Sequence, residues 1–124
     1  MGHKIKTTVF DSHRNSYATD VHVEHSCDLR SSQINIDGFE PINQSMTGIK
    51  LSINLQFYRT KADKDAGGQP FQAVNNLDNM QSINHLQKNI SFAEAAALNA
   101  SAVNGYVNDY LVGLYGEINV EEVI

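Results

Sequence analysis

Residues 49–57 alternate without a break, with Ile49, Leu51, Ile53, Leu55 and Phe57 on one side and Lys50, Ser52, Asn54 and Gln56 on the other. A strand turns successive side chains to opposite faces, so this period predicts a half-buried strand over residues 48–59. Residues 4–10 carry the same period more weakly through Ile5, Thr7 and Val9, and the polar run at 11–16 supplies turn chemistry for a hairpin. Alternation resumes over residues 17–25: Tyr17, Thr19, Val21 and Val23 share one side, and Asp20, His22 and Glu24 share the other. A short strand at 33–36 meets Asp37-Gly38, a dipeptide suited to a tight reversal. Residues 61–70 are polar, charged and glycine-containing, and read as an exposed loop. A brief strand is expected within 71–76, and Leu77, Met80, Ile83 and Leu86 recur near helical spacing, predicting a helix over 77–88.

Beyond residue 90 the period becomes helical. Ser91 followed by Glu94 matches the capping box, in which the serine hydroxyl accepts the third amide and the carboxylate reaches back to the cap. A single helix is expected from there to about Tyr115, with Gly105 as its weak point and Gly116 as its stop. Phe92, Ala96, Val103, Val107, Tyr110 and Leu114 form one stripe, and Ala95, Ala97, Ala100, Ser101, Ala102 and Gly105 crowd small side chains into its first half. Small residues let another backbone come close, whether the helix lies on its own sheet or beside a symmetry mate. In the tail, residues 117–124, Ile118, Val120, Glu122 and Ile124 alternate with Glu117, Asn119, Glu121 and Val123, as in an edge strand or an arm that adds to a neighbouring chain.

The expected fold is therefore α+β: an antiparallel sheet from the N-terminal half followed by C-terminal helices, in one domain spanning 1–124. Residues 1–75 are mainly strands, 77–116 mainly helical, and 117–124 a tail or edge strand. The 124 residues and 41% hydrophobic content suit a single packed core.

Charge narrows the partners. Fourteen acidic side chains against nine basic give a net charge of −5, which opposes nucleic acid or an anionic membrane as a general partner. Cys27 is the only cysteine, so no internal disulfide supports the fold. The first residues lack a signal-peptide core and no apolar run reaches the roughly 20 residues of a membrane span, so a cytoplasmic protein is expected, or one carried within a virion. Asn, Gln, Ser and Thr fill 35 positions, 13 of them Asn, a composition suited to surfaces that meet other protein surfaces because an amide is cheaper to desolvate than an ion.

Candidate chemistry is sparse. Asp20, His22 and Glu24 project to one side of a strand, as metal ligands would, but alternate strand positions lie roughly 7 Å apart and an ordinary solvated face looks the same. No metal or cofactor is expected, and these three are where one would sit. His25 and Cys27 share a strand face without a third residue to orient them as a nucleophile pair. Residues 63–68 open like a calcium loop, with carboxylates at alternate positions and Gly68 sixth, yet Val74 stands where a bidentate glutamate is needed. His13, His85, Asp11 and Glu40 have no sequence relation that would make them catalytic. Tyr106, Tyr110 and Tyr115, with Phe57 and Tyr58, offer large contact areas.

The expectation is a non-enzymatic, self-associating structural or interaction protein, a homodimer or larger, with Phe92, Ala96, Val103, Val107, Tyr110 and Leu114 at its interface. Strands first and helices last is similar, as a plan alone, to viral and phage-type assembly subunits. The alternative is a small acidic ligand-binding or inhibitory protein acting on a basic partner. A small hydrolase or isomerase stands third.

Overall fold

A computed structural model describes residues 2–18, 20–32 and 48–123, without the side chains of Arg30, Ser31, Ser32 and Phe92. Its strands are β1 (Gly2–Ile5), β2 (Val9–Asp11), β3 (Ser16–Tyr17), β4 (Val21–Ser32), β5 (Gly48–Tyr58), β6 (Ala73–Val74), β7 (His85–Ile90) and β8 (Val120–Val123). Its helices are α1 (Lys61–Asp65), α2 (Phe92–Ala96) and α3 (Ala100–Tyr115). The expected strand at 33–36, the turn at Asp37-Gly38, and Thr19, Glu40 and Ile124 lie outside the described residues.

Five strands form an antiparallel sheet in the order β7-β5-β4-β1-β8, and β3-β2-β6 form a second, smaller one. The α+β architecture with antiparallel sheets and a C-terminal helix is thus the expected one. β5 carries the predicted alternation into the core: Leu51, Ile53, Leu55 and Phe57 are buried. They share a face with Val21 and Val23 of β4 and Ile5 of β1, and Val103, Val107 and Leu111 of α3 pack into the same cluster. The small sheet joins through rings: Phe71 stacks on Tyr17 at 4.1 Å and tilts against Phe57 at 6.1 Å. Asn84 fastens the seam, accepting from the Ala73 amide and donating to the Leu55 and Phe71 carbonyls.

Several boundaries differ from the sequence reading, each for a local reason. The run 4–10 divides into β1 and β2, which belong to different sheets. The run 17–25 divides at residues 18–20, where Asp20 takes φ +60° and turns the chain out of one sheet into the other. Within the expected loop at 61–70, Thr60 caps a five-residue helix by accepting from the Asp63 amide.

The helix expected over 77–88 is absent. Asn76 accepts from the Asp78 and Asn79 amides and Asn75 accepts from the Asn76 and Gln81 amides, so asparagine turn chemistry takes the backbone before a helix can start. The chain then enters β7, with Leu86 opposite Ile53 and Ile90 opposite Ile49. Residues 77–116 are consequently part strand.

The capping box at Ser91 and Glu94 forms, but its helix ends at Ala96. Asn99 accepts from the Ala102 amide and starts α3, so the break falls at residues 97–99 and not at Gly105. Gly116 ends α3 at φ +91°, a conformation that glycine adopts without strain. The tail pairs within the chain, as β8 against β1.

Candidate functional site

His22 opens the site. It lies opposite Lys4 on the face of the sheet turned away from α3, yet it is only 3% exposed. Sequence alternation placed it in solvent. The reason for its burial is α1, which packs over β4 and β5 at this end and sends the Lys64 Nζ to Glu24 Oε1 at 3.1 Å. The same Glu24 oxygen lies 3.6 Å from His22 Nε2, so Glu24 stands between a lysine and an imidazole.

These neighbours set the proton affinities. Burial disfavours the imidazolium and holds His22 below its ordinary value, with Glu24 opposing. Burial pushes Glu24 upward, but the hydrogen bond and charge of Lys64 outweigh it and keep the carboxyl below its ordinary range. Lys64 is raised by Glu24 in turn. Burial thus favours the uncharged form of the His22 ring, while the neighbouring carboxylate works against it.

A surface cavity of about 550 Å³ adjoins His22. Lys4 and Lys61 bring positive charge to its wall, Asp20, Glu121 and Glu122 bring negative charge, and Thr60, Ala62 and Val123 complete its lining. Glu121 is already paired with Lys6 at 3.1 Å. Asp20 is exposed and shares this wall with His22, whereas Glu24 is turned to Lys64. The three residues singled out as metal candidates are therefore not gathered around one point, and among the described residues no three His, Cys, Asp or Glu side chains could hold a metal.

The remaining candidates separate as well. Asp63 and Asp65 face Arg59 at 3.9 Å and Lys61 at 3.4 Å along and beside α1, which is a helix and not a loop of converging oxygens. His25 and Cys27 share a wall with Leu98, Ala100 and Val103 around a groove of about 350 Å³. The His25 Nδ1 is buried without a hydrogen-bond partner, so nothing orients the ring toward the thiol. Asp11 is a structural acceptor for the His13 and Asn15 amides and the Tyr17 hydroxyl, and the His85 Nδ1 lies 2.9 Å from Asn54 Oδ1 instead.

The apolar stripe is mostly interior. Val103 and Val107 are buried, together with Leu111, against the chain's own sheet, and Tyr110 and Leu114 pack half-buried beside them. Ala96 is exposed, and the Phe92 side chain is among those not described. The face proposed for a second copy is thus largely occupied by β1, β4 and β5. Beneath α3 lies a polar patch the sequence did not signal: His3 is fully buried with neither ring nitrogen bonded, and Asn104 donates to Glu122 nearby.

What the sequence reading also missed is an edge. Among the described residues β1 covers β4 only at residues 21–24, and β5 covers the other side of β4 along its full length. Among the described residues no strand pairs with the outer edge of residues 25–32, on which Cys27 is exposed and Leu29 is 45% exposed. The signal was hidden because the segment His25-Ser26-Cys27-Asp28-Leu29-Arg30-Ser31-Ser32 has no apolar alternation to extend the strand. No family model, curated protein or solved structure matches the chain.

Proposed function

We propose that the protein is a non-enzymatic, self-associating structural or interaction subunit, of the kind that builds viral and phage-type assemblies. The observation that carries this reading is the edge of β4 at residues 25–32, which no strand among the described residues covers. A row of unpaired backbone donors and acceptors is a template for another strand, and folded chains blunt such rows unless they are used. The other two outer strands are shorter, and β8 places Glu121 and Glu122 on its edge. An abundance of uncharged polar side chains agrees with a role in contact. No helix among the described residues is long and apolar enough to cross a membrane, and the expected setting is the cytoplasm or a virion interior.

Sedimentation equilibrium from 1 to about 100 µM tests the reading: a dimer or larger species is expected, and a monomer throughout refutes it. The His22 cavity supports a second reading, a small-ligand or inhibitory binding protein. Under that reading a bound molecule perturbs the NMR signals of Lys4, His22 and Lys61 together, and His22→Ala abolishes the response.

A further inference from the structure

His3 is the most completely enclosed titratable residue among those described: it is 0% exposed, and neither ring nitrogen has a hydrogen-bond partner. It lies opposite Glu122 in the register of β1 with β8, and directly opposed strand residues share a face, so ring and carboxylate both turn toward α3. From α3, Asn104 donates its amide nitrogen to Glu122 and leaves its own oxygen buried without a partner. β1, β8 and α3 thus meet at one incompletely bonded polar point. We infer that this point is an acid-operated latch: a proton on His3 frees β8 from β1 while α3 and the rest of the five-stranded sheet stay folded. The inference goes beyond the proposed function and stands whether or not the chain self-associates.

The charges around the ring decide the sign. β8 contributes Glu122, which attracts an imidazolium but is already shared with Asn104. β4 contributes His25 on the same face and His22 on the other; both repel it, as does the charge of the amino terminus. α3 turns only the neutral Asn104 amide to this point, since its one carboxylate, Asp109, lies in the groove beside Leu86 and Lys88. Burial outweighs the attraction of Glu122 and holds the ring below its ordinary 6.5. A conformation that wets the ring takes up its proton at the ordinary value. The closed form is therefore fully favoured above pH 6.5, and that advantage shrinks as pH falls from there to the value of the closed site.

β8 is the element that yields. None of its four residues is buried, whereas Ile5 of β1 and Val103, Val107 and Leu111 of α3 belong to the core cluster. Releasing β8 exposes little apolar surface, as in other low-cost local openings. A second tie, Lys6 to Glu121 at 3.1 Å, stays ionised at pH 5 because Lys6 holds the Glu121 carboxyl below its ordinary range. A release between pH 7.5 and pH 5 is accordingly not the loss of this pair.

Amide exchange read by NMR on the full chain, corrected for its intrinsic pH dependence, tests the latch. The β8 amides, and that of Lys6, which donates to the Asn119 carbonyl, should lose about tenfold in protection between pH 7.5 and pH 5. Dilute urea should leave that exchange unchanged, because a local opening exposes little surface, while it speeds exchange in β5 through global unfolding. His3→Gln should abolish the pH-dependent loss. Glu122→Gln keeps an acceptor for Asn104 but removes the attraction for the imidazolium, so it should widen the loss, and it decides the matter in a chain that retains His3 should His3→Gln not fold. β8 amides that exchange in step with β5, a loss that persists in His3→Gln, or one that Glu122→Gln leaves unchanged or narrows overturns the latch.

Discussion

The imidazole of His22 lies against the backbone of Gly2: a Cβ placed on Gly2 would come within 2.9 Å of His22 Cε1 and 2.8 Å of the Val23 carbonyl oxygen. Glycine at position 2 is therefore what lets β1 close on β4 while the ring stays buried. Because one of the two obstacles is backbone, side-chain rotation alone cannot make room. Gly2→Ala is expected to cost about 1–3 kcal/mol, the usual range for overpacking. A denaturant midpoint unchanged from the natural chain would contradict the contact.

Acid should act through Asp11. Its burial raises the carboxyl, but hydrogen bonds from Asn15, Tyr17 and the His13 amide outweigh that and hold it below its ordinary 3.8. A carboxyl depressed in the folded chain stabilises it fully above the unfolded value, and that contribution disappears as pH falls from there through the folded value. Asp11→Ala is expected to cost about 1–3 kcal/mol at pH 7, because it removes the charged acceptor of the His13 and Asn15 amides and the Tyr17 hydroxyl. Urea titrations of the two chains should converge below pH 3 relative to pH 7; a gap of equal size at both would refute the assignment.

Histidines give the opposite end of the acid range. His3, His22 and His25 are each held below the ordinary 6.5, in every case first by burial. Glu122 pulls His3 upward while His25 and His22 press it down. The unfolded chain therefore binds more protons than the folded one just below pH 6.5, and stability that is complete above that pH declines as pH falls through it. The urea midpoint should drop between pH 7.5 and pH 5. His3→Leu, which removes a buried ring with no hydrogen bonds, should flatten that drop, as followed by tryptophan-free far-UV dichroism.

Helix α3 is anchored by Leu111, which is fully buried in the core cluster, while Ala96 of α2 faces solvent. Leu111→Ala should cost about 3 kcal/mol through lost contacts and the cavity left behind. Ala96→Ser should change stability by less than about 0.5 kcal/mol. Thermal melts of both chains measure the contrast, and equal losses would mean that Leu111 does not lie on the helix's core face.

Local pattern was enough wherever one periodicity met one environment. The alternation from Ile49 to Phe57 determined β5 and its buried face, Ser91 with Glu94 determined a helix start, and Gly116 determined a helix end, because each depends on neighbours within a few residues. Where two local structures fit equally, it misled: Leu77, Met80, Ile83 and Leu86 suit a helix until Asn75 and Asn76 bind the backbone amides around them. The candidate site was legible in its residue types but not in its geometry, since the burial of His22 depends on α1 arriving from some forty residues later in the chain.

The sequence by itself determined an acidic α+β chain whose core face runs through β5 and whose last third is capped, helical and then extended. Tertiary structure alone decided that Val103 and Val107 are spent on the chain's own sheet, that β8 closes on β1, and that β4 outruns β1 by residues 25–32. The physical reason is that strand pairing and coverage are set by contacts between distant segments. The length of a free edge is the difference between two strands that a single stretch of residues never records.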